Sequence, residues 1–278
     1  MAHVSVRDTV VFSFSFLFRN AQRIASRIAL PALAGWITFY VAFFLYLTEL
    51  EQYLGSPSER IASLVLGLAT AGLLVTLFMH SIIVSSITSL ALGLKDGKWK
   101  YFRIGRRECR LYAANLRFIL ISAAFIAVMR LGEIAMGRIV PLAGYDWITD
   151  IIIGGGLWLL TVRVGFLIAP LAVARSNGEI LRRGWRLSSG RFWSITAIAI
   201  ILALPGLVVE FAGEFVMSLY GRSPHVDQHA SLASLVAAFR EDLGEILFAV
   251  GIGYLVAIIL LTLARVSFYR QLVDQTET

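Results

Sequence analysis

The sequence predicts an all-α polytopic membrane protein, with six transmembrane helices and three amphipathic interfacial helices forming a weak threefold internal repeat. Two observations carry this. Of 278 residues, 58% are apolar and only 15% charged, against roughly 45–50% and about 25% in soluble domains, and the mean hydropathy is +0.77. The apolar residues also gather into runs of about twenty or more, the length a helix needs to cross hydrocarbon, and not into the short alternating strands of a porin-like barrel. The chain reads as one membrane domain, 1–278.

The elements follow in order. An amphipathic helix over about 4–19 places Val10, Phe14, Leu17 and Phe18 on one side, and Asn20 ends it. The alternation of Phe12 to Phe16 with serines suggests a strand, but an unpaired edge facing lipid would leave backbone groups unsatisfied. The first span, about 28–48, opens at Leu30-Pro31 and runs into Glu49 and Glu51 without a small-residue cleavage site, so no removable leader is expected. The second span covers about 60–94. A second interfacial helix, about 99–114, sets Tyr101, Ile104, Glu108 and Leu111 against arginines and ends at Asn115. Spans follow at about 112–136 and 147–174. A third interfacial helix, about 179–189, sets Leu181 and Trp185 opposite Arg182, Arg183 and Arg186, with Gly190 as the turn into a span at about 193–219. The last span is about 244–272. Asn20, Asn115 and Gly190 suit the left-handed residue just past a helix end.

Charge sets the expected orientation. The N-terminal segment, 95–117, 175–191 and 265–278 hold 19 of the 25 lysines and arginines, while 49–60, 130–150 and 210–245 hold five. By the positive-inside rule both termini are expected to be cytoplasmic, in a bacterial inner membrane. This alternation accounts for the net charge of +7 without nucleic acid as a partner. The single cysteine, Cys109, excludes an internal disulfide or a cysteine metal cage.

The stretch Arg163-Val164-Gly165-Phe166-Leu167-Ile168-Ala169-Pro170, then Ala174, then Ile180-Leu181-Arg182-Arg183-Gly184-Trp185-Arg186-Leu187-Ser188-Ser189-Gly190-Arg191-Phe192-Trp193, resembles a bacterial six-span inner-membrane family. That family includes the membrane domain attached to some glycerophosphodiester phosphodiesterases and free-standing relatives of uncharacterised function. The resemblance is sharpest over these thirty or so residues and looser elsewhere, through the N-terminal helix and the Lys95-Asp96-Gly97 turn. It implies a polytopic helical domain with cytoplasmic amphipathic linkers and says little about activity. With the last span closing near Thr278, no hydrolase domain is expected.

Arg163 is the most informative single residue. On a straight helix it lies about 18 Å from Arg175, near mid-bilayer, where an arginine is costly unless it meets protein or water. It is either a structural clamp on a neighbouring helix or a contact for a solute. Arg130, Glu133, Glu210 and Glu214 lie toward the outer ends of their spans, and Glu133 or Glu210 is the expected counter-charge of Arg163. His80, followed by Ser81, Ser85, Ser86, Thr88 and Ser89, marks a polar seam that serves as interhelical glue or as a proton relay. His225 and His229 lack further metal ligands, so neither metal nor cofactor is assigned. No nucleophile elbow, metalloprotease, phosphate-loop or dinucleotide motif occurs, which disfavours an enzyme.

The basic segments are the clearest functional signal. Lys98, Lys100, Arg103, Arg106, Arg107 and Arg110, then Arg182, Arg183, Arg186 and Arg191, crowd one interface beside Trp99, Trp185 and Trp193. Such clusters attract anionic phospholipid. The expected function is therefore a non-enzymatic, lipid-binding accessory or envelope-organising protein, with a protein partner or homo-oligomer compatible with it. The alternative is a transporter or channel for a small anionic solute or lipid, with a midplane site around Arg163.

Overall fold

The computed structural model of the chain describes residues 4–94, 105–137, 146–174, 179–219, 232–241 and 243–274. Of these, 93% are helical and none lies in a strand. Six helices are long and apolar enough to cross a membrane, so the chain is an all-α, multi-pass membrane protein.

Helix α1 (Val6–Gly55) is 50 residues long, about 75 Å at 1.5 Å per residue, far more than a bilayer core requires. Ser5 caps its start by accepting from the Asp8 amide at 3.2 Å. Asn20 is the non-helical point within it, at φ −120°, ψ 16°, and its side chain donates to the Phe16 carbonyl at 3.1 Å. The break falls where expected, but in a right-handed conformation in place of the left-handed one. The arm before it lays Val10, Phe14 and Leu17 on the core, while Phe18, expected on the same side, is 76% exposed.

Helix α2 (Glu59–Ala91) begins at Ser58, which accepts from the Ile61 amide, and ends at Gly93, whose φ of +68° a side chain would resist. Helix α3 (Arg106–Gly137) runs unbroken through Asn115. The expected stop there does not occur, because Asn115 donates to Ser81 Oγ on α2 at 3.2 Å and so spends its amide on helix packing. Helix α4 (Asp146–Arg163) ends in mid-span; a 3-10 turn (Gly165–Leu167) and helix α5 (Ile168–Val173) continue it. Helix α6 (Ile180–Leu187) turns through Gly190, φ +72°, into α7 (Phe192–Leu219). Helix α8 (Leu232–Glu241), unforeseen between the last two spans, leads to α9 (Leu243–Asp274).

Both described chain ends meet: the Ser5 amide donates to Gln271 Oε1 at 3.0 Å, and Gln271 donates to Thr9 Oγ1 at 3.0 Å. The core sits toward this end of the bundle. One half joins Ile24, Ile83, Ile87, Leu111 and Leu263; the other joins Phe166, Leu171, Ile198, Leu202, Leu260 and Phe268. The 3-10 turn and α5 lie between the two halves and belong to both. Toward the opposite end, Leu66, Leu73, Val128, Leu131, Ile151 and Val208 are exposed, as lipid-facing side chains should be. There Arg240 bridges Glu51 at 2.6 Å and the Phe239 ring meets Phe43 edge-on, which ties α8 to α1.

Candidate functional site

The fourth span is interrupted, and the interruption organises the basic end of the molecule. Val164 sits at φ −121°, ψ −57° and Leu167 at φ −98°, ψ 0°, both outside helical geometry. Pro170 supplies the local cause. In a continuous helix it would remove a backbone bond and clash with the carbonyl four residues earlier; because α5 restarts at Ile168, Pro170 falls in a first turn, where no such bond is needed. Irregular backbone at membrane depth must be shielded from lipid. It is: Phe166 to Val173 are all buried.

Helix α6 completes the shield. Gly184 lies against the break so closely that a Cβ there would stand 3.3 Å from the Val164 carbonyl oxygen. Buried Ser188, just past α6, donates to the freed carbonyl of Arg163 at 2.6 Å and also lies 3.1 Å from the Trp185 carbonyl. The Arg163 guanidinium lies 4.6 Å over the Trp185 ring, and its Nη2 is 3.5 Å from that residue's carbonyl. This is the clamp geometry, directed at the interfacial helix. The mid-bilayer depth assumed a straight helix to Arg175; the break invalidates that arithmetic, since α6 folds back to the level of residue 164.

Neither expected counter-charge pairs with Arg163 among the described residues. Arg130 bonds Glu133 at 2.8 Å and Asp150 at 2.5 Å, a small charged group joining α3 to α4 at the outer end. Glu210 lies beside Gly253, where α7 crosses α9. The Glu214 side chain lies outside the described residues. Arg163 therefore does not gather with Arg130, Glu133 and Glu210 into one polar cluster.

The polar seam of α2 is real and divides between two neighbours. Facing α3, Ser81 receives the Asn115 amide, and Ser85 donates to Glu108 Oε1 at 2.8 Å. Glu108, only 4% exposed, takes a second bond from the Gly105 amide at 3.0 Å. Facing α9, His80 Nδ1 lies 2.6 Å from the Tyr254 hydroxyl. Further along, Arg270 donates to the Ala91 carbonyl, which closes the end of α2 onto α9. Thr88 and Thr262 have buried hydroxyls without partners. Glu108 and Arg265 are polar residues the sequence reading gave no site role. For Glu108 a signal existed, since it falls on the apolar face with Leu111; Arg265 was counted only as flanking charge.

Of the basic cluster, Arg106, Arg182 and Arg186 are exposed, Arg107, Arg110, Arg183 and Arg191 are half-buried, and Lys98, Lys100, Arg103 and Trp99 lie outside the described residues. Arg110 Nε donates to the Arg106 carbonyl, and Arg191 Nη1 to that of Leu187. Trp185 is 42% and Trp193 78% exposed beside these charges. His225 and His229 are also outside the described residues, among which no three metal-type side chains converge. Compared with family models, curated proteins and solved structures, the chain matches none.

Proposed function

We propose that this chain is a non-enzymatic integral membrane protein whose basic face binds anionic phospholipid, in an accessory or envelope-organising role. The supporting observation is α6 with its flanking turn. An eight-residue helix packs against the broken fourth span through Gly184, Ser188 and Arg163, and leaves Arg182 and Arg186 exposed beside Trp185 and Trp193. Arginines supply forked donors for phosphate oxygens, and tryptophans favour the headgroup layer. A surface packed in this way loses little further entropy on meeting a bilayer.

With the positive-inside distribution, this face and both chain ends belong on the cytoplasmic side of a bacterial inner membrane. The resemblance to the membrane domain of glycerophosphodiester phosphodiesterases agrees with that placement. A midplane solute site around Arg163 finds less support, because Arg163 spends its contacts on Trp185 and the carboxylates proposed to join it lie elsewhere.

The test replaces Arg182, Arg183 and Arg186 with glutamine in the full chain and measures the anionic share of co-purifying lipid. Each charge near the surface contributes about 1 kcal/mol, so the triple variant should lose most of its anionic enrichment while keeping its helical content. Unchanged enrichment would refute the proposal.

A further inference from the structure

Arg163 keeps donors in reserve after its contact with Trp185. The guanidinium lies over the Trp185 ring at 4.6 Å, and a cation on an aromatic face uses up no N–H donor. Among the described residues its one acceptor is the Trp185 carbonyl, 3.5 Å from Nη2, longer than an ordinary hydrogen bond. Nε is buried without a partner; Nη1 has none either and, unlike Nε, is not buried. No carboxylate pairs with it among the described residues. An arginine at the end of a membrane-spanning helix with its fork unfilled is a binding-site signal by default.

Two helices make a corner around it. Gly184 and Ser188 pack α6 against the end of α4, which brings Trp185 to Arg163. Arg182 stands one turn before Trp185 on α6, where residues three apart have Cβ atoms about 5–6 Å from each other. Long helical side chains lean toward the helix start, here carrying Trp185 toward Arg182. The contact of Arg182 with Glu179 is long, 3.9 Å, between two exposed side chains. On α4, Leu159 precedes Arg163 by one turn and Ile152 by three, so all three residues share a face. Leu159 is 42% and Ile152 49% exposed. An apolar track thus leads from the arginine along the span.

We propose that Arg163 is the phosphate ligand of one bound phospholipid, seated in the corner between α4 and α6. The phosphodiester takes the Arg163 Nη groups and Arg182, and an acyl chain lies along Leu159 and Ile152. This rests on the reading of the basic face as lipid-binding and deepens it, from a spread of charge to one stoichiometric site. Phosphate fits because a planar fork pairs with two of its oxygens. A phospholipid is the fitting bearer because the apolar track begins one turn from the arginine. The corner is interfacial and distinct from the midplane solute site considered above.

The experiment uses the full chain in phosphatidylcholine nanodiscs doped with phosphatidylglycerol, released into detergent, stripped of loosely held lipid and weighed by native mass spectrometry. The wild type should retain one phospholipid, and either lipid counts, since both carry the phosphodiester. Arg163→Gln should retain it about tenfold less often, as the loss of a charge-assisted hydrogen bond requires. Arg163→Lys keeps the charge without the planar fork and should fall between them. Ser188→Ala is the structural control: it loosens α6 but removes no phosphate donor, so it should retain severalfold more lipid than Arg163→Gln. Retention as low in Ser188→Ala would assign the effect to helix packing and overturn the site. If Arg163→Gln does not fold, Arg182→Gln carries the test and should shed the lipid severalfold more readily. The anionic share of total co-purifying lipid in the Arg182, Arg183 and Arg186 variant tests the wider reading separately. Loss of that share with full retention in Arg163→Gln sinks this site alone. A second arm offers inorganic phosphate to lipid-stripped protein; saturable binding there in place of a retained lipid, lost in Arg163→Gln, would decide for a soluble ion and against the lipid. No retained phospholipid in the wild type, or equal retention in every variant, would overturn the proposal.

Discussion

Replacing Gly253 by alanine tests the packing of the α7–α9 pair with its own internal control. A Cβ on Gly253 would stand 2.7 Å from the carbonyl oxygen of Gly206, and one on Gly206 would stand 2.7 Å from that of Gly253 and 2.8 Å from Ala257 Cβ. Ordinary contact begins at 3.4 Å, so the two backbones would have to part by about 0.7 Å, with no flexible side chain to yield. Overpacking of this kind costs about 1–3 kcal/mol. Alanine returns about 1 kcal/mol of helix propensity at either kind of site. Gly154 and Gly155 meet nothing within 4 Å, so their alanine variants show the propensity gain alone. The difference between Gly253→Ala and Gly154→Ala should therefore be about 1–3 kcal/mol, read by reversible unfolding in mixed micelles. Gly156, which faces the rotatable Phe125 ring, should fall between the two. Equal stability of Gly253→Ala and Gly154→Ala would refute the close crossing.

Two further outcomes follow from the polar anchors. Ser188→Ala removes the donor to the Arg163 carbonyl and should cost about 1–3 kcal/mol; loosening of α6 should show as faster tryptic cleavage at Arg182, Arg183 and Arg186, and an unchanged rate would contradict the clamp. Glu108→Leu strands the Gly105 amide and leaves Ser85 to turn back to its own helix, so a loss of about 1–3 kcal/mol is expected, with Glu108→Gln milder because its amide oxygen still accepts. A melting temperature as low in Glu108→Gln as in Glu108→Leu would point to the carboxylate charge in place of its hydrogen bonds.

The spans were legible because hydropathy depends on composition over some twenty residues, which tertiary structure cannot override. Gly190 was legible because a left-handed residue after a short helix favours glycine. The break after Arg163 was not, although Gly165 and Pro170 both marked it. The apolar run continues through 147–174, and apolarity alone cannot separate a straight span from a broken one buried in protein. Asn115 misled for a related reason: the amide that caps a helix in water can join two helices away from it, and only the neighbour, Ser81, decides which. The partners of Arg163 and Arg265 depend on which helices meet, and no local pattern contains that.

The bond between Ser5 and Gln271 spans 266 positions. At about 5–20 residues per second, the ribosome takes roughly 13–53 s to deliver the second partner after the first. Until α9 is made the N-terminal arm lacks its Gln271 partner, so the contact between the two described ends forms late. A chain stalled before α9 would lack both bonds that hold Ser5 and Thr9 to Gln271 and the α9 share of the apolar surface on which Val10, Phe14 and Leu17 pack.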